Sequence, residues 1–340
     1  MRGGVWMGVS GGRRIPAGWG LAGLSILALA TLALGPFVGG TSLPLGVLSG
    51  GGTEAEQMIF WKLRVPQVLV AFLAGSGLAL SGMTFQAIFR NPLATPFTLG
   101  VASGAALGAA IYVYSGVDLG IPGLPGITLF AFAGALGAVS LVVGLTASRR
   151  GLSTAGVLLA GVAVSFFCSS LLMFVQYISK MGHSIKILHW MMGGLNVFGY
   201  EPVFQVLPFV MAGAGVILLL GAELNLLLLG DDLAASRGVA VRRVKLGLFA
   251  VTSLAVAGVV AVCGPIGFVG MMVPHVARLL FGADHRVLGP ACLLSGGVFL
   301  VLCDRLARSV VPPAEVPVGV ITALLGGPFF LWLLLRRGLH

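Results

Sequence analysis

Long apolar runs, separated by short polar stretches, set the pattern of this chain. They cover about Gly18–Val38, Val65–Phe89, a third beginning near Gly100, then Ile127–Ala147, Ala155–Ile178, Val203–Ala222, Leu246–Ala277, Val287–Cys303 and Val318–Leu335. A helix that crosses a bilayer needs about 20 apolar residues, so each run of ordinary length predicts one crossing. The run Leu246–Ala277 is different. Its 32 residues hold no charged side chain, and at about 1.5 Å per residue one unbroken helix would far exceed the hydrocarbon core. Gly264, Pro265 and Gly267 predict the break. A seventh span then precedes a shorter eighth piece that contains Pro274 and ends at His275–Arg278. Discontinuous helices of this kind mark the moving or permeating part of transporters. The expectation is an all-α polytopic membrane protein, one transmembrane domain over 1–340, with about ten helices and both termini cytoplasmic.

Composition narrows the class. Mean hydropathy is +1.06 and charged residues make up 9%, which excludes a soluble globule. The formal charge of +10 does not point to nucleic acid, because the basic residues stand in ones to fours at the ends of apolar runs. With the N-terminus inside, the inner segments hold 14 of the 20 basic and 4 of the 10 acidic residues. The whole excess therefore lies on the inner face, as the positive-inside rule requires. Arg2, Arg13 and Arg14 precede a first run too long for a signal peptide, so a retained first helix is expected.

Gly75, Gly77 and Gly82, and the four-residue series Gly100, Gly104 and Gly108, predict close helix approach. Asn91-Pro92 and Thr95-Pro96 predict a helix break at the inner surface. Asp304 and Arg308 are spaced to pair on one helical face. Cys168, Cys263, Cys292 and Cys303 show no metal-ligand spacing and read as small buried residues. His183 and His189, six apart in an outer segment with Lys180, Lys186 and Trp190, match no zinc pattern. No metal site is expected.

The longest polar interruption is Gly230–Lys245, within a cytoplasmic loop of about 223–245. Asp231 and Asp232 stand where a short helix would begin, and Arg237 with Gly238 where it would end. Val239 and Val241 are apolar residues among charges, which predicts a surface for a partner. The chain contains no G-x-x-x-x-G-K-[ST], no H-E-x-x-H and no nucleophile motif, so it is not expected to be an enzyme. Its spans hold no deep ionisable residue of the kind an ion-coupled secondary transporter needs, which argues against that rival. The driving energy is expected from outside the chain, received at the basic inner loop.

Leu63–Pro66, Gln86–Gly108, Trp190–Asn196, Leu226–Val241, Gly264–Arg278, Asp284–Pro290 and Ala314–Leu334 together resemble the FecCD-type permeases. These are membrane subunits of ATP-binding-cassette importers for iron-siderophores, haem and cobalamin. The resemblance implies a second permease copy (a homodimer), two ATPase subunits that bring ATP and Mg, a periplasmic binding protein, and a place in the bacterial inner membrane. It implies that two short helices between the sixth and seventh spans rest on the ATPase. Asp231, Asp232, Ser236, Arg237, Gly238, Val239, Arg242 and Arg243 are then the coupling residues. It implies a cytoplasmic gate at Ser153 and Thr154. It also implies rim cations, Arg64 and Arg308, that pair with carboxylates of the binding protein. Gln67 stands where some relatives have a second arginine, and Arg305 or Lys62 is the expected substitute. The cargo expected is an iron chelate, with cobalamin and haem as the alternatives.

Overall fold

Each apolar run folds as a helix. In the computed structural model the described residues are 16–39, 43–117, 119, 123–147, 154–310 and 315–337. The helices are α1 (Ala17–Leu34), α2 (Glu54–Met58), α3 (Val65–Phe89), α4 (Val101–Ser115), α5 (Gly126–Ala147), α6 (Thr154–Ile178) and α7 (Met181–Met191). They continue as α8 (Glu201–Leu219), α9 (Gly221–Leu229), α10 (Asp231–Ser236), α11 (Val241–Cys263), α12 (Val269–Phe281), α13 (His285–Ser309) and α14 (Val318–Arg337). Among the described residues, seven helices are long and apolar enough to cross a membrane, and α4, α12 and α14 contain shorter apolar helices. These are the places of the ten expected spans.

The core is built around α3, which is buried along nearly its whole length. Small residues make this possible. A methyl group at Gly82 would overlap the Gly270 backbone of α12, and one at Gly75 would overlap the Gly296 carbonyl of α13. The three helices therefore meet with backbones in contact, as small residues allow in membrane proteins. The Ser76 hydroxyl donates to the Leu293 carbonyl at 2.7 Å, adding a polar tie. Gly104 and Gly108 of α4 meet Gly134 and Phe130 of α5 in the same way. By contrast, α6 presents Leu159, Phe166, Met173 and Tyr177 outward. In a bilayer such faces contact lipid or other subunits at no hydrophobic cost.

Three boundaries depart from the pattern of runs. The second span begins at Glu54 rather than Val65, because Thr53 and Glu56 form a reciprocal capping box and a π-helical stretch over Ile59–Arg64 carries the helix into α3. The outer segment after the fifth run forms the helix α7. The sixth run ends at Leu219, and α9 starts two residues later. The break after Phe89 is as expected: Arg90 takes a left-handed conformation (φ 48), and the Asn91 side chain accepts from the Leu93 N–H at 2.9 Å.

Candidate functional site

On the inner face the chain between α8 and α11 folds into two short helices, α9 and α10. Leu224 and Leu227 sink into the core and anchor α9, and Ala234 does the same for α10. Asp231 and Asp232 occupy the first turn of α10, where the helix dipole favours negative charge. The helix closes at Arg237 and Gly238. Gly238 adopts φ +85, a left-handed cap that glycine takes without steric cost, and the Val239 N–H returns to the Ala234 carbonyl at 3.1 Å.

What this elbow exposes is a mixed apolar and basic surface. Asp232, Leu233, Ser236, Arg237, Gly238, Arg242 and Arg243 are exposed, and Asp231 is half-buried. Val239 and Val241 correct the sequence reading, since both are partly covered and pack against the core. The large exposed apolar residue of α10 is Leu233, 44% accessible.

Polar contacts fasten the elbow to three spanning helices. Asp231 accepts from the Lys245 ammonium of α11 at 2.6 and 2.8 Å and lies 3.7 Å from the Arg90 guanidinium at the end of α3. From α9, the Asn225 amide donates to Asp284 at 2.7 Å, and its carbonyl accepts from the His285 backbone N–H at 2.9 Å. The Asn225 oxygen also lies 2.8 Å from His285 Nδ1. Asp284 caps α13 by accepting from the Arg286 N–H at 3.0 Å. The Asn225 amide first, and that backbone N–H second, hold the Asp284 carboxyl below the ordinary carboxylate range. Nothing local in the sequence marks Asn225 or Arg90 as attachment points. For Asp284 a signal existed, an Asp immediately before a helix start.

The expected rim cations lie at the outer ends of α3 and α13, and three of the four are buried. Arg64 is 5% accessible and donates to the Pro36 and Phe37 carbonyls. Arg305 pairs with Asp304 and reaches the Val38 carbonyl at 3.1 Å and the Gln67 amide oxygen at 3.5 Å. Arg308 donates to both oxygens of Asp304 at 3.1 Å, to the Leu195 carbonyl at 3.0 Å and to Glu315 at 2.6 Å. The Asp304–Arg308 pair is thus formed as its spacing predicts, and Arg305 meets Gln67 directly. Lys62 is exposed. Ser153 lies outside the described residues, as does the side chain of Thr154 at the start of α6.

The helix break forms where Gly264, Pro265 and Gly267 place it. Gly264 adopts φ 67 and ψ −178, open to glycine alone, and a Cβ there would stand 2.5 Å from the Trp190 carbonyl. The Gly194 N–H bonds to the Cys263 carbonyl at 2.8 Å, and the Gly319 N–H to the Gly193 carbonyl at 3.2 Å. The break thereby joins α11, the end of α7 and the start of α14. Phe268, with φ 67, begins the next helix. The four cysteines are buried and unpaired.

The profile of the FecCD transport family matches residues 23–336. The chain belongs to this family. It is therefore the transport permease of an ABC importer and not a catalytic subunit. This FecCD permease is 39% identical over 325 residues to the hemin transport system permease protein HmuU of Yersinia pestis, covering 93% of this chain and 96% of that one. It is 39% identical over 321 residues to the vitamin B12 import system permease protein BtuC of Klebsiella pneumoniae, covering 93% of each. Among solved structures it is similar to a metal-chelate type ABC transporter in an inward-facing conformation, with a TM-score of 0.84 and 31% identity over 94% of this chain and 99% of the other.

Proposed function

We propose that this permease translocates an iron chelate across the bacterial inner membrane as one of two identical copies. Two separate ATPase subunits, which bind ATP and Mg, drive it, and a periplasmic binding protein feeds it. The observation that carries the reading is the elbow: a basic surface around Leu233, fastened by Asp231 and Asn225 to α3, α11 and α13. A push on a short helix fixed at three points moves packed helices as bodies, which is how access to a pathway alternates between two sides. Asp231, Asp232, Ser236, Arg237, Gly238, Val239, Arg242 and Arg243 are the coupling residues on this reading. Asp231 and Val239 serve the inner attachment, and the exposed members face the ATPase.

Arg64, Arg305 and Arg308 already have partners in the chain, so docking of the binding protein falls first to the exposed Lys62 at the same rim. The gate role of Ser153 and Thr154 belongs to the same proposal. The relatives named for hemin and for vitamin B12 keep those cargoes as the alternatives to an iron chelate.

Co-purification with the ATPase tests the reading. Leu233→Asp and Arg237→Glu are expected to release the ATPase or to leave hydrolysis uncoupled from uptake, because they place negative charge and polarity on the contact surface. Unchanged association and unchanged uptake in both variants overturn the assignment of the elbow.

A further inference from the structure

Helix α7 buries Ile187 against α4 and α6 and leaves an apolar face outward. Met181, Ile185, Leu188 and Met192 follow the spacing of one helical face and are exposed. His183, Lys186, His189 and Trp190 instead line a cavity of about 690 Å³ behind the helix. Among the described residues, the side chains of His183, Lys186 and His189 make no hydrogen bond and no ion pair.

The other walls complete a ligand-like environment. Tyr112 from α4 and Trp190 bring aromatic surface, Asn196 brings an amide, and Val262–Gly264 brings the helix break itself. The described lining contains one cation and no acidic side chain. Volume falls within the range of about 300–1,000 Å³ usual for small-molecule sites. The position is outer, between the end of α4, the end of α11 and α7, so cargo delivered from outside meets it before the membrane interior.

We propose that this cavity is a receiving site for an anionic iron chelate, with the Lys186 ammonium as its charge contact and the imidazoles of His183 and His189 as flanking hydrogen-bond donors. The inference rests on the permease reading and narrows its cargo. A ligand carrying free carboxylates gains from Lys186, whereas cyanocobalamin, bulkier and without net negative charge, gains nothing from it and fills the space badly.

The test uses the chain co-purified with its ATPase in lipid nanodiscs, with empty nanodiscs as the blank. Equilibrium dialysis measures ferric citrate, haemin and cyanocobalamin. Saturable binding is expected for ferric citrate or haemin, and the stronger of the two names the source of the anionic groups. Lys186→Gln, an exposed position, is expected to weaken it about tenfold and to flatten its salt dependence. His183→Ala with His189→Ala is expected to weaken it less, with salt dependence kept. The proposal is overturned if neither anionic chelate binds saturably, if Lys186→Gln binds as wild type does, or if cyanocobalamin is preferred. Failure of the permease reading looks different: the ATPase then does not co-purify, whatever the chelates do.

Discussion

The Lys245 ammonium lies 2.6 Å from Asp231, joining the second turn of α11 to the first residue of α10. The lysine side chain is only 10% accessible, and the carboxylate is 42% accessible. Asp231 is therefore the counter-ion of a nearly buried cation as well as a helix-starting residue. Asp231→Asn is expected to lower stability by about 1 kcal/mol, a value discounted for the exposure of the carboxylate. Combined with Lys245→Met, the loss should be clearly smaller than the sum of the two single losses. Thermal unfolding of the four proteins in detergent checks this, and strict additivity contradicts it.

Asn225 holds α9 to the turn before α13 through Asp284 and His285. Asn225→Ala removes these contacts together and is expected to speed amide exchange across residues 221–236 while leaving α3 protected. Acid should act in the same direction. The Asp284 carboxyl sits below its ordinary range, so its contribution is present above the unfolded pKa of about 3.9 and is lost as pH falls through the lower folded value. Exchange of the elbow measured against pH should show this loss in wild type and lack it in Asn225→Ala.

At the outer rim Asp304 serves two buried arginines, while Glu315 is a half-exposed partner of one. Asp304→Asn leaves uncompensated buried charge and is expected to cost about 3 kcal/mol or more. Glu315→Gln should cost well under about 1 kcal/mol. Protease resistance in membranes ranks the two, and equal loss contradicts the account of the cluster.

The contact of α3 with α12 has no room for a side chain at Gly82, whereas a Cβ at Gly137 of α5 meets nothing within 4 Å. Gly82→Ala is expected to destabilise by about 3 kcal/mol. Gly137→Ala should be neutral or stabilise by up to about 1 kcal/mol, through helix propensity. The difference between their unfolding midpoints is the readout.

What was legible in the sequence is what depends on local pattern: the nine apolar runs, the break at Gly264–Gly267 that divides one of them, and α10 with its acidic start and glycine end. The two glycine series also marked real contacts, although their partners, Gly270, Gly296 and Gly134, are set by how the helices meet. Illegible were features decided across the fold. α7 has eleven residues and mixed polarity, and its polar face is turned to a cavity that no local pattern announces. Asn225 meets His285 across sixty positions. Arg64 and Arg305 stand near the ends of apolar runs, where rim exposure is the natural expectation, yet the turn after α1 folds over them and supplies carbonyls to both. Val239 and Val241 read as a free surface because the core they pack against comes from elsewhere in the chain.

On the proposed reading a separate ATPase, acting through the elbow at residues 221–245, moves this permease. Proteoliposomes holding the chain, its ATPase and its binding protein test this most directly, by accumulation of radiolabelled iron chelate with and without ATP. Accumulation against a gradient is expected only when ATPase and ATP are both present, and it should be lost in Leu233→Asp. Accumulation by the chain alone, driven by an ion gradient, would contradict it.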